Sequence, residues 1–287
     1  MKKIILGTLL ISSSAFCDSS TILPYGGLIN YDNSTDGSAK DEGKIAGVYF
    51  SEGDLNHLWE LDYARTVINY KDTTLSDLKQ NDITLTYSRY LTNYMYKIGY
   101  HNISTSDTDL GDAHTLMLGI GGYKWKGYDK ISYGLESYYT LFKDGHDDLG
   151  ISKNIDILQL SPNFTYSKAI NVNTRNNITL KGNYIYAGDY QDNNYFSAEL
   201  EDTLYYKKFF TTASGYVGEM KTGIKSGAHT VYNTKDLLKN GYGLKVGYYF
   251  KPNLSATIGY SIDNFKEYQK TVDTSSSATV ATLTYSF

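Results

Sequence analysis

The stretch LSATIGYSI, residues 254–262, alternates throughout between apolar side chains and small or polar ones. Its even-numbered positions carry Leu, Ala, Ile, Tyr and Ile, and its odd-numbered positions carry Ser, Thr, Gly and Ser. Successive side chains of a β-strand point to opposite faces, so this pattern predicts a strand with one apolar and one polar face. The stretches YGLKVGYYF, residues 242–250, and ISYGLESYYTL, residues 131–141, predict two further strands of this kind.

About fourteen such segments recur along the chain, and the sequence therefore predicts an all-β fold. Their predicted centres are residues 26, 47, 62, 86, 98, 119, 136, 161, 182, 200, 216, 246, 258 and 282. Most segments are about ten residues long, which is the length of a tilted strand that crosses a bilayer.

The predicted connections between these segments alternate in length. Residues 92–93, 126–129 and 251–253 form short connections, whereas long polar ones begin near residues 32, 71 and 144. A soluble, exported all-β domain would explain the alternating faces but not the alternating connection lengths. Short turns on one side and long loops on the other are typical of an antiparallel transmembrane barrel with an even number of strands.

The N-terminus has the pattern of a secretory signal peptide. Lys2 and Lys3 precede an apolar run, IILGTLLI, which is followed by the small-residue stretch SSSAFC. We expect residues 1–17 to be the signal peptide, cleaved near Cys17, and residues 18–287 to be a single barrel domain. Acylation of Cys17 as in a lipoprotein is the alternative, although Phe16 fits that processing motif poorly.

Composition supports an exported β-protein. The 287 residues include 30 Tyr and 26 Gly but only 3 Pro, and Cys17 is the single cysteine. Mean hydropathy is -0.40, and no segment after the N-terminal run is apolar for long enough to form a transmembrane helix. The formal charge of -4 becomes about -6 once the two N-terminal lysines are removed, which argues against nucleic acid as a partner.

The last segment, ATLTYSF, ends in an alternating series with a terminal aromatic residue. Its members are Ala281, Leu283, Tyr285 and Phe287. The series resembles the C-terminal sorting signal of Gram-negative outer-membrane β-barrel proteins. The whole chain is similar in size and strand count to the monomeric, fourteen-stranded porins of the outer membrane protein G type.

This resemblance implies a transmembrane antiparallel up-and-down β-barrel of about 14 strands in the cell outer membrane, with both termini periplasmic. It also implies recognition of the C-terminal strand by the barrel-assembly machinery, and contact with outer-membrane lipid and lipopolysaccharide. The third external connection, residues 104–112, is too short for the inserted constriction loop of trimeric porins. A monomer is therefore favoured over a trimer.

Fourteen strands spaced about 4.8 Å apart and tilted by about 40° give a backbone radius of roughly 14 Å, too wide for side chains alone to fill. We therefore predict a water-filled channel for passive diffusion of ions and small hydrophilic solutes. Alternation places the following candidates on its lining: Glu60, Asp62, Lys97, His101, Glu136, Lys181, Glu199, Glu201 and Lys245. Their mixed signs predict a weak cation preference at most, and the alternative is that they are solvated wall residues without a selective role.

Two charged residues fall on the predicted apolar face. Asp202 would need a bulge or a position near a turn, and Arg65 could meet lipid phosphates at the external rim. The longest connection, residues 222–240, is a candidate gate, as the corresponding loop is in the porins named above. Its end, NTKDLLK, is expected to form one helical turn capped by Asn233 or Thr234.

Other functional classes remain as alternatives. An outer-membrane phospholipase would place Ser two residues from a His on one strand face, but none of the five histidines has such a neighbour. The stretch DGHDD, residues 144–148, resembles the acidic rim of outer-membrane proteases, but no second acidic pair accompanies it. We predict no catalytic residue, metal site or cofactor. A barrel enzyme and a surface adhesin stay open as alternative functions.

Overall fold

The computed structural model describes residues 19–32, 34, 37–106, 110–146, 151–190, 192–225, 230–231, 235–268 and 270–287. These residues form strands, turns and irregular connections. None of them belongs to a helix that is long and apolar enough to cross a membrane. The predicted signal peptide and Cys17 lie outside the described residues, so the cleavage and acylation expectations stay predictions.

Fourteen strands form a closed antiparallel barrel, which confirms the predicted fold class. The barrel strands are β1 (Ser19–Tyr31), β2 (Lys40–Gly53), β3 (His57–Tyr70), β4 (Leu78–Tyr90), β5 (Tyr94–Thr105), β6 (Ala113–Lys126), β7 (Asp129–His146), β8 (Ser152–Asn171), β9 (Thr174–Tyr186), β10 (Asn194–Tyr206), β11 (Phe209–Lys221), β14 (Leu237–Lys251), β15 (Leu254–Lys266) and β16 (Asp273–Ser286). Two further strands of two residues each, β12 (Ile224–Lys225) and β13 (Thr230–Val231), pair with each other in the connection between β11 and β14.

The connections define two different ends of the barrel. Those at one end, the short-turn end, contain two or three residues, and Ser19 and Phe287 lie at the same end. Those at the other end, the long-connection end, contain five to fifteen residues. Two of the predicted short connections are shorter than expected, at residues 127–128 and 252–253, whereas a third is one residue longer, at residues 91–93. Turn residues such as Lys207, at φ 54°, complete the tight reversals.

The barrel closes by antiparallel pairing of β1 with β16. Tyr25 lies opposite Thr282, and the pairing extends from Thr21 to Tyr31 of β1. Beyond the last strand, Ser20 N–H donates to the Phe287 carbonyl at 3.0 Å, and Phe287 N–H donates to the Ser20 carbonyl at 2.9 Å. Closure leaves neither β1 nor β16 as an open sheet edge.

The two faces of each strand follow the alternation of the sequence. In β15, Ser255 and Thr257 point into the barrel and are buried, whereas Ile258 and Tyr260 point outward and are exposed. Exposed Leu, Ile, Val, Phe, Tyr and Trp side chains recur on the outward face of most strands. In water this would leave a large apolar surface uncovered, but it suits a barrel that is surrounded by lipid.

The barrel interior differs between its two halves. Buried apolar side chains fill much of the half next to the long-connection end, where they form one contiguous cluster of Ile103, Leu110, Ala113, Met117, Tyr138, Phe142, Ile155, Ile157, Ile185, Ala187, Tyr190, Tyr195, Tyr216, Met220, Ile224, Leu238 and Phe265. The other half is polar and contains the cavity described below.

The predicted helical turn in NTKDLLK is wrong for its last three residues. Leu237 and Leu238 begin strand β14 and pair with Lys266 and Phe265 of β15. Leu238 is buried inside the barrel, so continued strand pairing satisfies the backbone and covers the side chain at once. The proposed caps, Asn233 and Thr234, lie outside the described residues.

The structure also locates the two charged residues on the apolar face. Asp202 points outward four residues before β10 ends at the short-turn end, and it accepts a hydrogen bond from Asn176 of β9. Arg65 points outward on β3, toward the long-connection end, and is exposed.

Candidate functional site

The polar half of the barrel encloses a cavity of about 360 Å³. Six of the nine predicted lining residues contribute to its wall, namely Glu60, Lys97, Glu136, Lys181, Glu199 and Glu201. Inward-pointing positions of nine consecutive strands, β3 to β11, and of β14 and β15 face this cavity. That these residues line an open pore is a prediction.

Acidic and basic side chains alternate along one side of the cavity wall. Lys97 Nζ of β5 lies 2.8 Å from the Glu60 carboxylate of β3, and Lys181 Nζ of β9 lies 3.3 Å from the Glu136 carboxylate of β7. All four side chains are largely shielded from solvent. We call this series, Glu60–Lys97–Glu136–Lys181, the charge ladder. Because each charge has a partner of opposite sign, the wall is polar but close to neutral.

A glycine keeps the middle of the charge ladder open. Gly119 of β6 lies in register between Lys97 and Glu136. A Cβ atom at Gly119 would lie only 3.3 Å from the Cβ of Lys97, which is closer than most such contacts. The absence of a side chain therefore lets the lysine and the carboxylate extend over the β6 backbone toward each other.

Neighbouring hydroxyl groups fix the carboxylates of the charge ladder. The Tyr49 hydroxyl donates to Glu60 Oε1 at 2.8 Å, and Thr86 Oγ1 donates to Glu60 Oε2 at 2.7 Å. The Tyr138 hydroxyl donates to Glu136 Oε2 at 2.5 Å. Buried carboxylates with two or three donors are held in one orientation, so the charge ladder is a preorganised surface.

The other three predicted residues do not contribute to the cavity wall. Asp62 is buried and accepts a hydrogen bond from the Tyr25 hydroxyl at 2.9 Å. His101 is fully buried, shares a 2.6 Å hydrogen bond with Thr84 and lies 3.4 Å from an Asp82 carboxylate oxygen. Lys245 is also buried, and its Nζ lies 5.9 Å from the centre of the Phe210 ring. All three point inward, as predicted.

The first residues of the connection between β11 and β14, up to Lys225, lie inside the barrel. Gln159 of β8 donates from Nε2 to the Ile224 carbonyl at 2.7 Å, and the Ile224 N–H donates to Gln159 Oε1 at 2.7 Å. Two reciprocal hydrogen bonds from one amide side chain fix the backbone of this connection against the barrel wall. Ile224 is buried and joins the apolar cluster of the interior.

The next residue brings the connection to the charged wall. Lys225 is buried, and its Nζ lies 3.7 Å from Glu199 Oε1 and 3.7 Å from the centre of the Tyr216 ring. Glu199 in turn lies directly opposite Lys181 in the pairing of β10 with β9. The inserted connection therefore adds one cation at the end of the charge ladder.

A cluster at the long-connection end holds the other end of this connection. Lys40 Nζ of β2 lies 2.6 Å from Asp236 and 3.3 Å from Glu267, and Glu267 also accepts hydrogen bonds from Ser38 Oγ and the Ala39 N–H. We call these residues the Lys40 cluster. Burial alone would raise the pKa of the Glu267 carboxyl, but Lys40 and the two donors outweigh burial and hold its pKa below the usual range.

Sequence reasoning singled out the connection at residues 222–240 but missed its entry into the barrel and the contacts it makes there. Gln159, Ile224 and Lys225 carry no motif, but the strands next to them show a usable signal. In YYTLF of β7, residues 138–142, and IDIL of β8, residues 155–158, apolar residues occupy both faces rather than one. Loss of alternation at a strand end indicates that the inward face is also covered, here by the apolar cluster.

Metal-binding geometry is not apparent in the part of the chain that the structure describes. No group of three or more His, Cys, Asp or Glu side chains among these residues is placed to hold a metal ion. Of the acidic stretch DGHDD, residues 147 and 148 lie outside the described residues.

No protein-family model matches the sequence, and no curated protein matches it. Solved structures do match its fold. The deltaS2 mutant of TodX, a monoaromatic hydrocarbon channel, has a TM-score of 0.54 at 10% identity, over 96% of this chain and 91% of that one. CymD, another monoaromatic hydrocarbon channel, has a TM-score of 0.52 at 6% identity, over 95% and 89% of the two chains. The outer membrane protein Omp33 of Acinetobacter baumannii has a TM-score of 0.50 at 10% identity, over 94% and 99%.

At this level of identity the likeness concerns the fold. The chain is a closed, fourteen-stranded antiparallel β-barrel of the porin-like type found in Gram-negative outer-membrane channels. Two of these neighbours in fold, TodX and CymD, are channels.

Proposed function

We propose that the protein is an outer-membrane channel for passive diffusion of ions and small hydrophilic solutes. The charge ladder is the observation that carries this proposal, because it lines an interior cavity of a barrel whose outward face is apolar. Paired charges on a wall attract water and keep it in the cavity. Hydrated solutes can then cross the apolar membrane inside the barrel.

Pairing of the charges predicts weak ion selectivity. Lys97 and Lys181 are matched by Glu60 and Glu136, so neither sign dominates this wall. Glu199 and Glu201 add two carboxylates, and Lys225 approaches the first of them. A slight cation preference is the expected result.

The proposal includes a place and an orientation. The barrel would span the cell outer membrane as a monomer, with the short turns and both termini in the periplasm and the long connections outside. Outer-membrane lipid and lipopolysaccharide would surround its apolar face, and the barrel-assembly machinery would recognise the C-terminal strand. The difference in length between the two sets of connections supports this orientation, because the external loops of such barrels are longer than the periplasmic turns.

The inserted connection between β11 and β14 would act as a gate. Ile224 and Lys225 occupy the interior between the apolar cluster and the charge ladder. Release of the two Gln159 hydrogen bonds would let this segment withdraw toward the long-connection end. Conductance would then depend on how often the segment withdraws.

A second candidate is transport of small apolar molecules. The apolar cluster lines the half of the interior next to the long-connection end, with Met117, Phe142 and Ile155 among its members. Two neighbours in fold, TodX and CymD, are monoaromatic hydrocarbon channels. An apolar entrance of this kind would admit such compounds, but the charged wall beyond it favours hydrophilic solutes.

Purified protein in a planar lipid bilayer tests the proposal. A channel gives stable stepwise conductance in KCl, and a reversal potential in a salt gradient measures the cation preference. Proteoliposome swelling in small sugars and uptake of toluene separate the two candidate solute classes. Absence of conductance steps together with absence of sugar flux would overturn the channel proposal.

A further inference from the structure

Three basic residues lie together on the outward face of the barrel near the long-connection end. They are Lys44 of β2, Arg65 of β3 and Lys79 of β4, and all three side chains are exposed. We call them the basic patch. The interior site makes no use of them, and cations are unfavourable on the lipid-facing surface of a barrel unless they lie near an interface.

Strand register places these three residues next to one another. Lys44 pairs with Val67, and Val67 pairs with Lys79, so both lysines lie in one row across three strands. Two strand spacings separate the lysine Cα atoms by roughly 10 Å. Arg65 lies between them, two residues from Val67 on the same face of β3. The three cationic groups can therefore reach a common point.

A tyrosine beside the basic patch marks its depth. Tyr63 is the next outward residue of β3 below Arg65, and its hydroxyl donates to Asn81 Oδ1 at 3.1 Å. Tyrosines with an apolar ring and a bonded hydroxyl are typical of the aromatic girdle at the edge of the hydrocarbon region. One outward step along β3 is roughly 7 Å, so Arg65 would lie at the level of the lipid headgroups.

The charges of the basic patch are poorly neutralised by the protein. Neither Arg65 nor Lys79 forms an ion pair with any residue that the structure describes, and Lys44 has only an exposed contact of 3.5 Å with Glu42. Exposed pairs of this kind contribute little. Exposed charges of both signs also occur around this end, among them Asp77 just before β4, Lys143 of β7 and Asp156 of β8.

We propose that the basic patch binds the phosphate groups of a phosphorylated glycolipid in the outer leaflet of the membrane. Arginine binds phosphate oxygens through two parallel hydrogen bonds, and lysines on either side add charge. This inference rests on the proposed position in the outer membrane. Lipid is the expected source of phosphate because the patch borders the apolar surface, where acyl chains of the same molecule can pack.

A binding measurement on the full mature chain in detergent micelles tests this inference. Native mass spectrometry would titrate the barrel with bisphosphorylated lipid A, with the same lipid after removal of its phosphates, and with inorganic phosphate. The test variant is K44Q/R65Q/K79Q. The control is K126Q/K208Q/K251Q, which removes three exposed cations near the short-turn end.

We expect the wild type and the control to bind bisphosphorylated lipid A equally, and the test variant to bind it about 100-fold more weakly, from about 1 kcal/mol per cation. Equal binding by the test variant, or equal binding of the dephosphorylated lipid, would overturn the proposal. Inorganic phosphate that displaces the lipid at equal concentration would show a site for free anions and would overturn the lipid assignment.

This result is independent of the channel proposal, because lipid binding in micelles requires no conductance. A barrel that binds lipid A but gives no conductance contradicts the proposed function alone. A barrel that conducts but shows no difference between the test variant and the control contradicts the basic patch alone.

Discussion

Glu136 is the residue through which the charge ladder is most easily tested. It accepts a hydrogen bond from Tyr138, lies 3.3 Å from Lys181 and borders Lys97 across Gly119. Glu136→Gln keeps the shape of the side chain but removes the carboxylate that pairs with Lys181, so the charge ladder gains one net positive charge. We expect the reversal potential in a KCl gradient to shift toward anions, by roughly a fivefold change in the permeability ratio for about 1 kcal/mol.

The matched control is Glu52→Gln, which removes the same charge from an exposed position near the short-turn end of β2. Its reversal potential should equal that of the wild type. A Glu136→Gln channel with unchanged selectivity would mean that the charge ladder is a solvated wall without a selective role.

Gly247 tests packing inside the barrel. The Phe210 ring of the neighbouring strand lies across Gly247, at a position that a Cβ atom would occupy. We expect Gly247→Ala to lower the free energy of unfolding by about 1–3 kcal/mol, because a rigid ring has to move. Urea unfolding in micelles, followed by tryptophan fluorescence, measures the change.

Gly182→Ala is the control for this packing prediction, since its new methyl group would meet only Pro162 at 3.5 Å, an ordinary contact. It should unfold within about 0.5 kcal/mol of the wild type. Equal effects of the two substitutions would show that the position of the Phe210 ring has no influence on stability.

At the scale of elements, the inserted connection makes the clearest prediction. Gln159→Ala removes both hydrogen bonds to the Ile224 backbone and leaves buried polar groups unsatisfied. We expect a higher open probability in single-channel recordings. Thr203→Ala, which removes a buried inward hydroxyl that shares a hydrogen bond with Thr212, is the control and should leave the open probability unchanged. An unchanged open probability for Gln159→Ala would contradict the proposal that this connection acts as a gate.

Acid should release the other end of the same connection. Because the pKa of Glu267 is lowered in the folded protein, its contribution to stability is fully present above the ordinary carboxyl pKa and is lost as the pH falls through the lowered pKa. We expect the open probability to rise in that range for the wild type. Glu267→Gln channels should already have the higher open probability at pH 7.

Asp72→Asn is the control for the acid response. Its pKa is lowered by hydrogen bonds from Thr74 within the exposed β3–β4 connection, and its carboxylate is not part of the Lys40 cluster. Its channels should keep the acid response of the wild type. Loss of that response in Asp72→Asn, or its persistence in Glu267→Gln, would contradict the role assigned to the Lys40 cluster.

The strands were predictable because apolar and polar residues alternate along most of the length of each strand. Each of the fourteen predicted centres falls within the observed barrel strand, from residue 26 in β1 to residue 282 in β16. The inserted connection was not predictable, because its position depends on contacts between distant residues. Gln159 and Ile224 are 65 positions apart, and neither has a pattern around it that indicates the other.

The same limit applies to the partners within the charge ladder. Alternation places Glu60, Lys97, Glu136 and Lys181 on the inward face, but only the barrel's register decides which of them meet. Gly119 illustrates the point, because its role depends on a lysine and a carboxylate from the two strands beside it. The inward placement of a residue can be read from its own strand, whereas its partner depends on the register between strands that are distant in sequence.

For the whole molecule, closure and assembly are separate properties, and Phe287 distinguishes them. Its backbone exchanges two hydrogen bonds with Ser20, while its side chain is 66% exposed and stacks on the Tyr285 ring. Phe287→Ala keeps the backbone bonds that join β16 to β1. Barrels of this variant refolded in detergent should therefore form, resist unfolding and conduct as the wild type does.

The same variant should fail in cells if the terminal side chain is what the assembly machinery recognises. We expect the amount of folded barrel in the outer membrane to fall several-fold, measured as the heat-modifiable band on a gel. Phe250→Ala, an outward aromatic residue 52% exposed near the same end of the barrel, is the matched control and should assemble normally. Equal loss for both variants would mean that any aromatic residue of the girdle matters, whereas loss confined to Phe287→Ala would assign recognition to the last residue.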